Sequence, residues 1–145
     1  MFFPAHLAAG LIVGKLSGDY APALMGALLI DVDHLTTYAR HGILFSPKKF
    51  WRAITNPEDP YGDQRNFLHS FITLGFLSVV YFVYSSIFFG IFLFGYATHL
   101  LLDLLDGSDF YPLYPLRINF KGPIKYLSSA EFVVTLALFG VFLVI

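Results

Sequence analysis

The sequence predicts an all-α integral membrane protein of about five helices, a single transmembrane helical domain over residues 1–145 with an interfacial loop at about 40–66. Three observations predict it. Hydrophobic residues make up 57% of the chain and charged residues 13%, against about 45–50% and about 25% in soluble domains. Residues 66–102 contain no Asp, Glu, Lys or Arg, a run roughly twice the ~20 residues that cross a bilayer as one helix. Of the nine basic residues, all except Lys15 fall between 40 and 65 or between 117 and 125, the asymmetry of a membrane protein with one basic face.

The first two apolar stretches, 4–16 and 21–30, are short and are separated by Lys15-Leu-Ser-Gly-Asp19. They fit either two crossing helices or a re-entrant hairpin. A hairpin would place Lys15 and Asp19 inside hydrocarbon at considerable cost, which favours crossing, with the second helix extended to about Tyr38. No basic segment precedes the first apolar run, His6 interrupts it and no small-residue cleavage site follows, so a cleaved signal peptide is not expected.

Residues 46–54 read as a Ser46 N-cap, Pro47 at the first helical position and a short helix mixing Lys48, Lys49 and Arg52 with Phe50 and Trp51. Such a helix suits the headgroup layer, as an anchor or as an attractor of phosphate. Residues 55–64, with Asn56-Pro57 and Asp59-Pro60, read as an exposed loop. The uncharged run divides best at Ser85-Ser86, giving helices over 67–84 and 87–106. A last helix covers 129–145, with Ser128 and Ser129 as N-caps and Glu131 in the first turn, where a carboxylate suits the helix dipole.

Alternation then puts the N-terminus and the loops 40–66 and 107–127 on one face and the C-terminus on the other. Arg40, Lys48, Lys49, Arg52, Arg65, Arg117, Lys121 and Lys125 share the first face, which the positive-inside rule makes cytoplasmic. The expectation is a multi-pass protein of the inner or plasma membrane, N-terminus cytoplasmic and C-terminus outside. The net charge of -1 provides no general field for nucleic acid, which is not expected as a partner. Without Cys there is neither a disulfide nor a thiolate ligand, so metal chemistry would use His nitrogen and carboxylate oxygen.

Polar groups in apolar helices need partners. His6, Asp31, Asp33, His34, His69, His99, Asp103, Asp106 and Glu131 all fall on the cytoplasmic half of their predicted helices, whereas helix ends on the other face carry no His. Each alone reads as a capped or hydrated side chain; together they point to a site. His99 and Asp103 are i,i+4, and Asp103 and Asp106 are i,i+3, so the three share a helix face, as do Asp31 and His34. Arg65 and His69 share one too if their helix starts early. These candidates exceed the four ligands of one tetrahedral zinc, so two or more divalent ions fit better than one structural ion. Zn is the first expectation, with Mn or Fe as alternatives for such donors.

The patterns Ala5-His6 with Gly10 and Gly14, Gly26-Ala-Leu-Leu-Ile-Asp31-Val-Asp33-His34, Arg65-Asn-Phe-Leu-His69-Ser70 and Gly95-Tyr-Ala-Thr-His99-Leu-Leu-Leu-Asp103, with Pro115 beyond, resemble the membrane-bound metal-dependent hydrolases. That family is also described as LexA-binding, inner-membrane-associated hydrolases. The match runs in order over nearly the whole chain. It implies His6, Asp31, Asp33, His69, His99 and Asp103 as metal ligands, with His34 and Arg65 beside them in catalytic roles and Asp106 and Glu131 as secondary candidates. Ile30 departs from the pattern, which has Pro before the first Asp. The family's distant similarity to zinc-dependent phospholipase C and single-strand nucleases implies phosphoester hydrolysis.

Three functions therefore compete. A metal-dependent hydrolase would act on a phosphoester, a lipid among the candidates, at the cytoplasmic leaflet through metal-activated water, with Arg65 or a loop Lys on the phosphate; no Gly-x-Ser-x-Gly nucleophile motif is present. A metal or proton transporter or channel would need polar stations toward the far face, where the sequence offers mainly Ser85, Ser86 and Phe-rich residues 88–94. A structural protein with a metal clamp would close its ligand set. Membrane lipids and a phosphoester substrate are the expected partners, and Gly10-x-x-x-Gly14 permits close packing within the chain or in a homo-oligomer.

Overall fold

A computed structural model describes residues 1, 3–56 and 65–145; the loop expected at 55–64 therefore lies mostly outside the described residues. Those residues form α1 (Phe3–Ser17), α2 (Tyr20–Leu28), a 3-10 turn (Leu29–Asp31), α3 (Val32–Arg40), α4 (Pro47–Thr55), α5 (Phe71–Tyr84), α6 (Ile87–Leu105) and α7 (Ser129–Val144). Gly18, with φ +78°, lets the chain reverse between the first two helices. Asp19 then caps α2 by accepting the Ala21 N–H at 3.1 Å. The expected caps at Ser46 and Ser128 form, accepting the N–H groups of Lys49 at 3.4 Å and Glu131 at 3.3 Å.

Two boundaries differ from expectation. The second helix does not run unbroken to Tyr38: it tightens into the 3-10 turn at Leu29–Asp31 and restarts as α3. Asp is a poor helix-interior residue and a favoured starter, and two occur here at 31 and 33. The next helix starts at Phe71 instead of 67, capped by Ser70 Oγ on the Ile72 N–H at 3.1 Å. Upstream, the Asn66 and Leu68 N–H groups donate to Asp33 Oδ2 at 2.8 and 3.0 Å. A distant carboxylate thus takes the backbone donors that a longer helix would have used internally. Arg65 and His69 accordingly lie on a loop and share no helix face.

α2 packs on α1 and α6, α1 also meets α6 and α7, and α5 packs on α6. The α2–α6 contact is unusually close, because a Cβ at Gly26 would strike the Phe92 carbonyl and one at Gly95 the Ala23 carbonyl. Gly10 and Gly14 face Ala27, Leu24 and Tyr20 of this same chain, so their spacing serves intrachain packing. Ile30, Leu93, Tyr96, Leu100 and Phe110 form the main buried cluster. Between α6 and α7 the chain doubles back in a hairpin closed by an antiparallel bridge between Phe110 and Phe120, and a parallel bridge ties Asp106 to Ile124. Among the described helices, α6, with 19 residues, is long and apolar enough to cross a membrane by length and composition; α1, α5 and α7 are apolar but shorter.

Candidate functional site

The close approach of α2 and α6 sets the first functional side chain. His99 lies one turn after Gly95 and its Nδ1 is 2.7 Å from the Ala27 carbonyl. Ala27 is in the last turn of α2, where carbonyls run out of intrahelical donors. Since a carbonyl only accepts, the His99 proton resides on Nδ1 and Nε2 of the neutral ring keeps its lone pair. His69 is arranged likewise: Nδ1 lies 3.4 Å from Asp33 Oδ2, so in the neutral tautomer that donates to Asp33 the Nε2 lone pair faces inward. The two Nε2 atoms face each other at 3.2 Å.

Two carboxylates flank this pair. Asp31 Oδ1 is 3.7 Å from both His69 Nε2 and His99 Nε2, and Asp103 Oδ2 is 3.7 and 3.6 Å from them. Ligands about 2.1 Å from one ion and separated by 90–120° lie about 3.0–3.6 Å from one another. Either carboxylate with both histidines therefore matches a set of ligands converging on one cation. His6 Nδ1 is buried without a hydrogen bond, a condition that normally calls for a partner, and Asp103 Oδ2, also without one, has the Arg65 guanidinium as an ion-pair neighbour at 3.2 Å. Asp31 stands at the N-cap of α3 but makes no capping bond, because the 3-10 turn aims its carboxylate at the histidines. A second grouping, His6 with His99 and Asp103, shares His99 with the first; the His6 and His99 rings stack at 3.8 Å.

Arg65 does not stand ready for phosphate as expected. Its Nε is 3.2 Å from Asp103 Oδ2, its Nη2 is 2.5 Å from Asp106 Oδ2 and 3.3 Å from Asp103 Oδ1, and its Nη1 donates to the Asp109 carbonyl at 3.3 Å. Burial opposes its charge, but the Asp103 and Asp106 carboxylates more than offset this and raise its pKa. The Met1 amino group reaches the same carboxylates, at 2.6 Å from Asp103 Oδ1 and 2.8 Å from Asp106 Oδ2. The fork that the sequence suggested for a substrate is thus already filled by aspartates.

The structure brings His6, Asp31, Asp33, His34, Arg65, His69, His99, Asp103 and Asp106 into one connected network. His34 Nε2 lies 3.2 Å from Asp31 Oδ1. Asp33 sits behind His69, orienting its ring and holding the 65–70 loop. Glu131, buried at the start of α7, accepts the Leu127 N–H at 2.6 Å while Ser128 caps its own N–H, a capping box in which the Glu reaches one residue beyond the N-cap.

A cavity of about 390 Å³ adjoins the network. Asp31, His34, Arg65 and Asp106 belong to both, and Ser108, Asp109, Phe50 and Tyr126, which donates to the Ile54 carbonyl at 3.0 Å, also line it. Burial raises the Tyr126 hydroxyl pKa to about 12, so it remains a donor. Tyr126 and the apolar wall were not foreseen, since no local spacing marks a loop tyrosine some 70 residues from its partner helix.

A family model described as YdjM inner membrane protein matches residues 2–145. No curated protein and no solved structure matches.

Proposed function

This chain belongs to the YdjM inner membrane protein family; we propose that it is a multi-pass membrane hydrolase that cleaves a phosphoester at the cytoplasmic leaflet with a divalent metal ion. The observation that carries this reading is the facing pair of imidazole Nε2 atoms between two carboxylates, reached from the cavity through Asp31.

His69, His99, Asp31 and Asp103 would hold the ion. His99 has one free lone pair, so it serves only one of the two overlapping groupings, which favours a single ion over the two or more that ligand number alone suggests. Nitrogen and oxygen donors suit Zn, Mn or Fe. When bound, such an ion supplies Lewis acidity, which polarises a phosphoryl oxygen and lowers the pKa of water. Asp33 orients His69, and the Ala27 carbonyl orients His99, so each ligand enters with its lone pair aimed inward. His34, on the cavity wall beside Asp31, is placed to accept a proton at a ring nitrogen. Arg65, itself paired with Asp106, holds Asp103 in place. The eight basic residues outside the N-terminal helices favour a cytoplasmic N-terminus and long loops, with the C-terminus outside.

The test is metal content and phosphate release from purified protein, wild type and Asp103→Asn. One divalent ion per chain and phosphate release are expected from the wild type, with both reduced at least tenfold in the variant. Less than one ion per chain after purification without chelator, or phosphate release insensitive to chelation, overturns the reading.

A further inference from the structure

The walls of the cavity differ in a way that bears on the substrate. α4 forms one of them: Phe50, Ala53 and Ile54 line the space, at positions i, i+3 and i+4 of one helix face. Lys48, Trp51 and Arg52 lie elsewhere on the same helix and are exposed. Phe3, Leu35 and Phe50 line the cavity and are still 52%, 46% and 43% exposed. Part of the cavity rim, between α1, α3 and α4, is therefore hydrocarbon, while Asp31, His34, Arg65, Asp106, Ser108 and Asp109 supply polar lining.

A small, fully hydrated phosphoester gains nothing from an apolar mouth and loses water in passing it. An amphiphile matches both ends: an anionic group at the polar wall and a chain at the mouth. The α4 segment adds charge complementarity, with Lys48, Lys49 and Arg52 and no acidic residue, as in helices that lie against anionic headgroups. We propose that the site takes a phosphorylated lipid, its phosphate at the Asp31 end and its hydrocarbon chain leaving between Leu35 and Phe50 into the membrane. The inference rests on the metal-site reading, because the carboxylates of the polar wall attract an anion only with a cation among them.

The experiment uses the full chain in phosphatidylcholine vesicles with added Zn. Spin-labelled phosphatidic acid, compared with spin-labelled phosphatidylcholine, reports binding. Phosphate release from phosphatidic acid, compared with glycerol phosphate, reports turnover. A motionally restricted excess of phosphatidic acid is expected, with kcat/KM at least about tenfold above that for glycerol phosphate. Leu35→Ser and Phe50→Ser should each lower that ratio by about tenfold and diminish the restricted excess, as lost apolar contact dictates. An excess without phosphate release from either ester upholds the lipid site and removes the hydrolase reading. Equal restriction of the two lipids, or equal turnover of the two esters, overturns the lipid site and leaves a hydrolase of soluble substrates.

Discussion

His69 and His99 meet Nε2 to Nε2 at 3.2 Å while their other ring nitrogens turn outward, to Asp33 and to the Ala27 carbonyl. With those outward bonds made by neutral rings, both inward nitrogens present lone pairs, so the contact calls for a positive charge between them, a cation or a shared proton. The outward partners decide this. Each is supplied by the broken second helix, Ala27 just before the 3-10 turn and Asp33 just after it.

The contact between α2 and α6 supports that geometry. Gly95→Ala introduces a methyl group against the Ala23 carbonyl, which should push His99 away from Ala27 and destabilise the fold by about 1–3 kcal/mol. Gly75→Ala is the control, since its added Cβ meets no atom within 4 Å. Thermal unfolding in detergent should separate the two, with a clear drop in Tm for the first alone. Equal Tm values would show that the helices can part without loss.

Arg65→Lys tests whether this residue holds aspartates or substrate. Lys keeps the charge but lacks the planar fork that reaches Asp103, Asp106 and the Asp109 carbonyl together. Lower thermal stability and a kcat reduced about tenfold or more are expected, with little change in KM for a phosphoester. A rise confined to KM would return Arg65 to the substrate.

Topology is accessible because the chain has no Cys. Leu116→Cys and Ile145→Cys place single thiols at positions 55% and 50% exposed. An impermeant maleimide should label them from opposite sides of inner-membrane vesicles, Leu116→Cys from the cytoplasmic face. Labelling from one side would remove a crossing.

Asp109 makes the hairpin mildly acid-sensitive. Hydrogen bonds from Asn119 at 2.7 Å and Lys121 at 2.9 Å lower its pKa, against a slight opposing effect of burial. A carboxylate with a depressed folded pKa stabilises above its unfolded pKa of about 3.9, and that contribution fades as pH falls through the folded value. The Asn119 side-chain amide signal should hold steady between about pH 5 and 8 and shift only in stronger acid. Asp109→Asn should abolish the acid step. The effect on overall stability is small, because the pair is exposed and screened.

Much of this was legible in the residues themselves. Ser46 with Pro47, Ser85-Ser86 and Ser128 mark helix ends through local chemistry, and they end or start helices where expected. The i,i+4 pair His99 and Asp103 follows from helical period alone. The start of α5 was not legible, because the competitor for its first N–H groups is Asp33, 33 residues away from Asn66. Nor was the role of Arg65, whose nearest charges come from the end of α6. The break at Leu29–Asp31 left a trace in the two closely spaced aspartates, although Ile30 itself suits a helix interior.

The lengths of the helices have a consequence for the surrounding lipid. α1, α5 and α7 hold 15, 14 and 16 residues, about 21–24 Å at 1.5 Å per residue, whereas an average bilayer has a hydrocarbon layer of about 30 Å. In the multi-pass arrangement proposed above, such mismatch would be relieved by thinning the membrane around the protein or by drawing flanking side chains toward the interface. A dimple of this kind would lower the headgroups of one leaflet toward the starts of α1 and α5, beside which His6 and His69 sit. Short-chain lipids that form thin bilayers would need no such deformation, so chain length should govern how readily this protein shares a membrane with them.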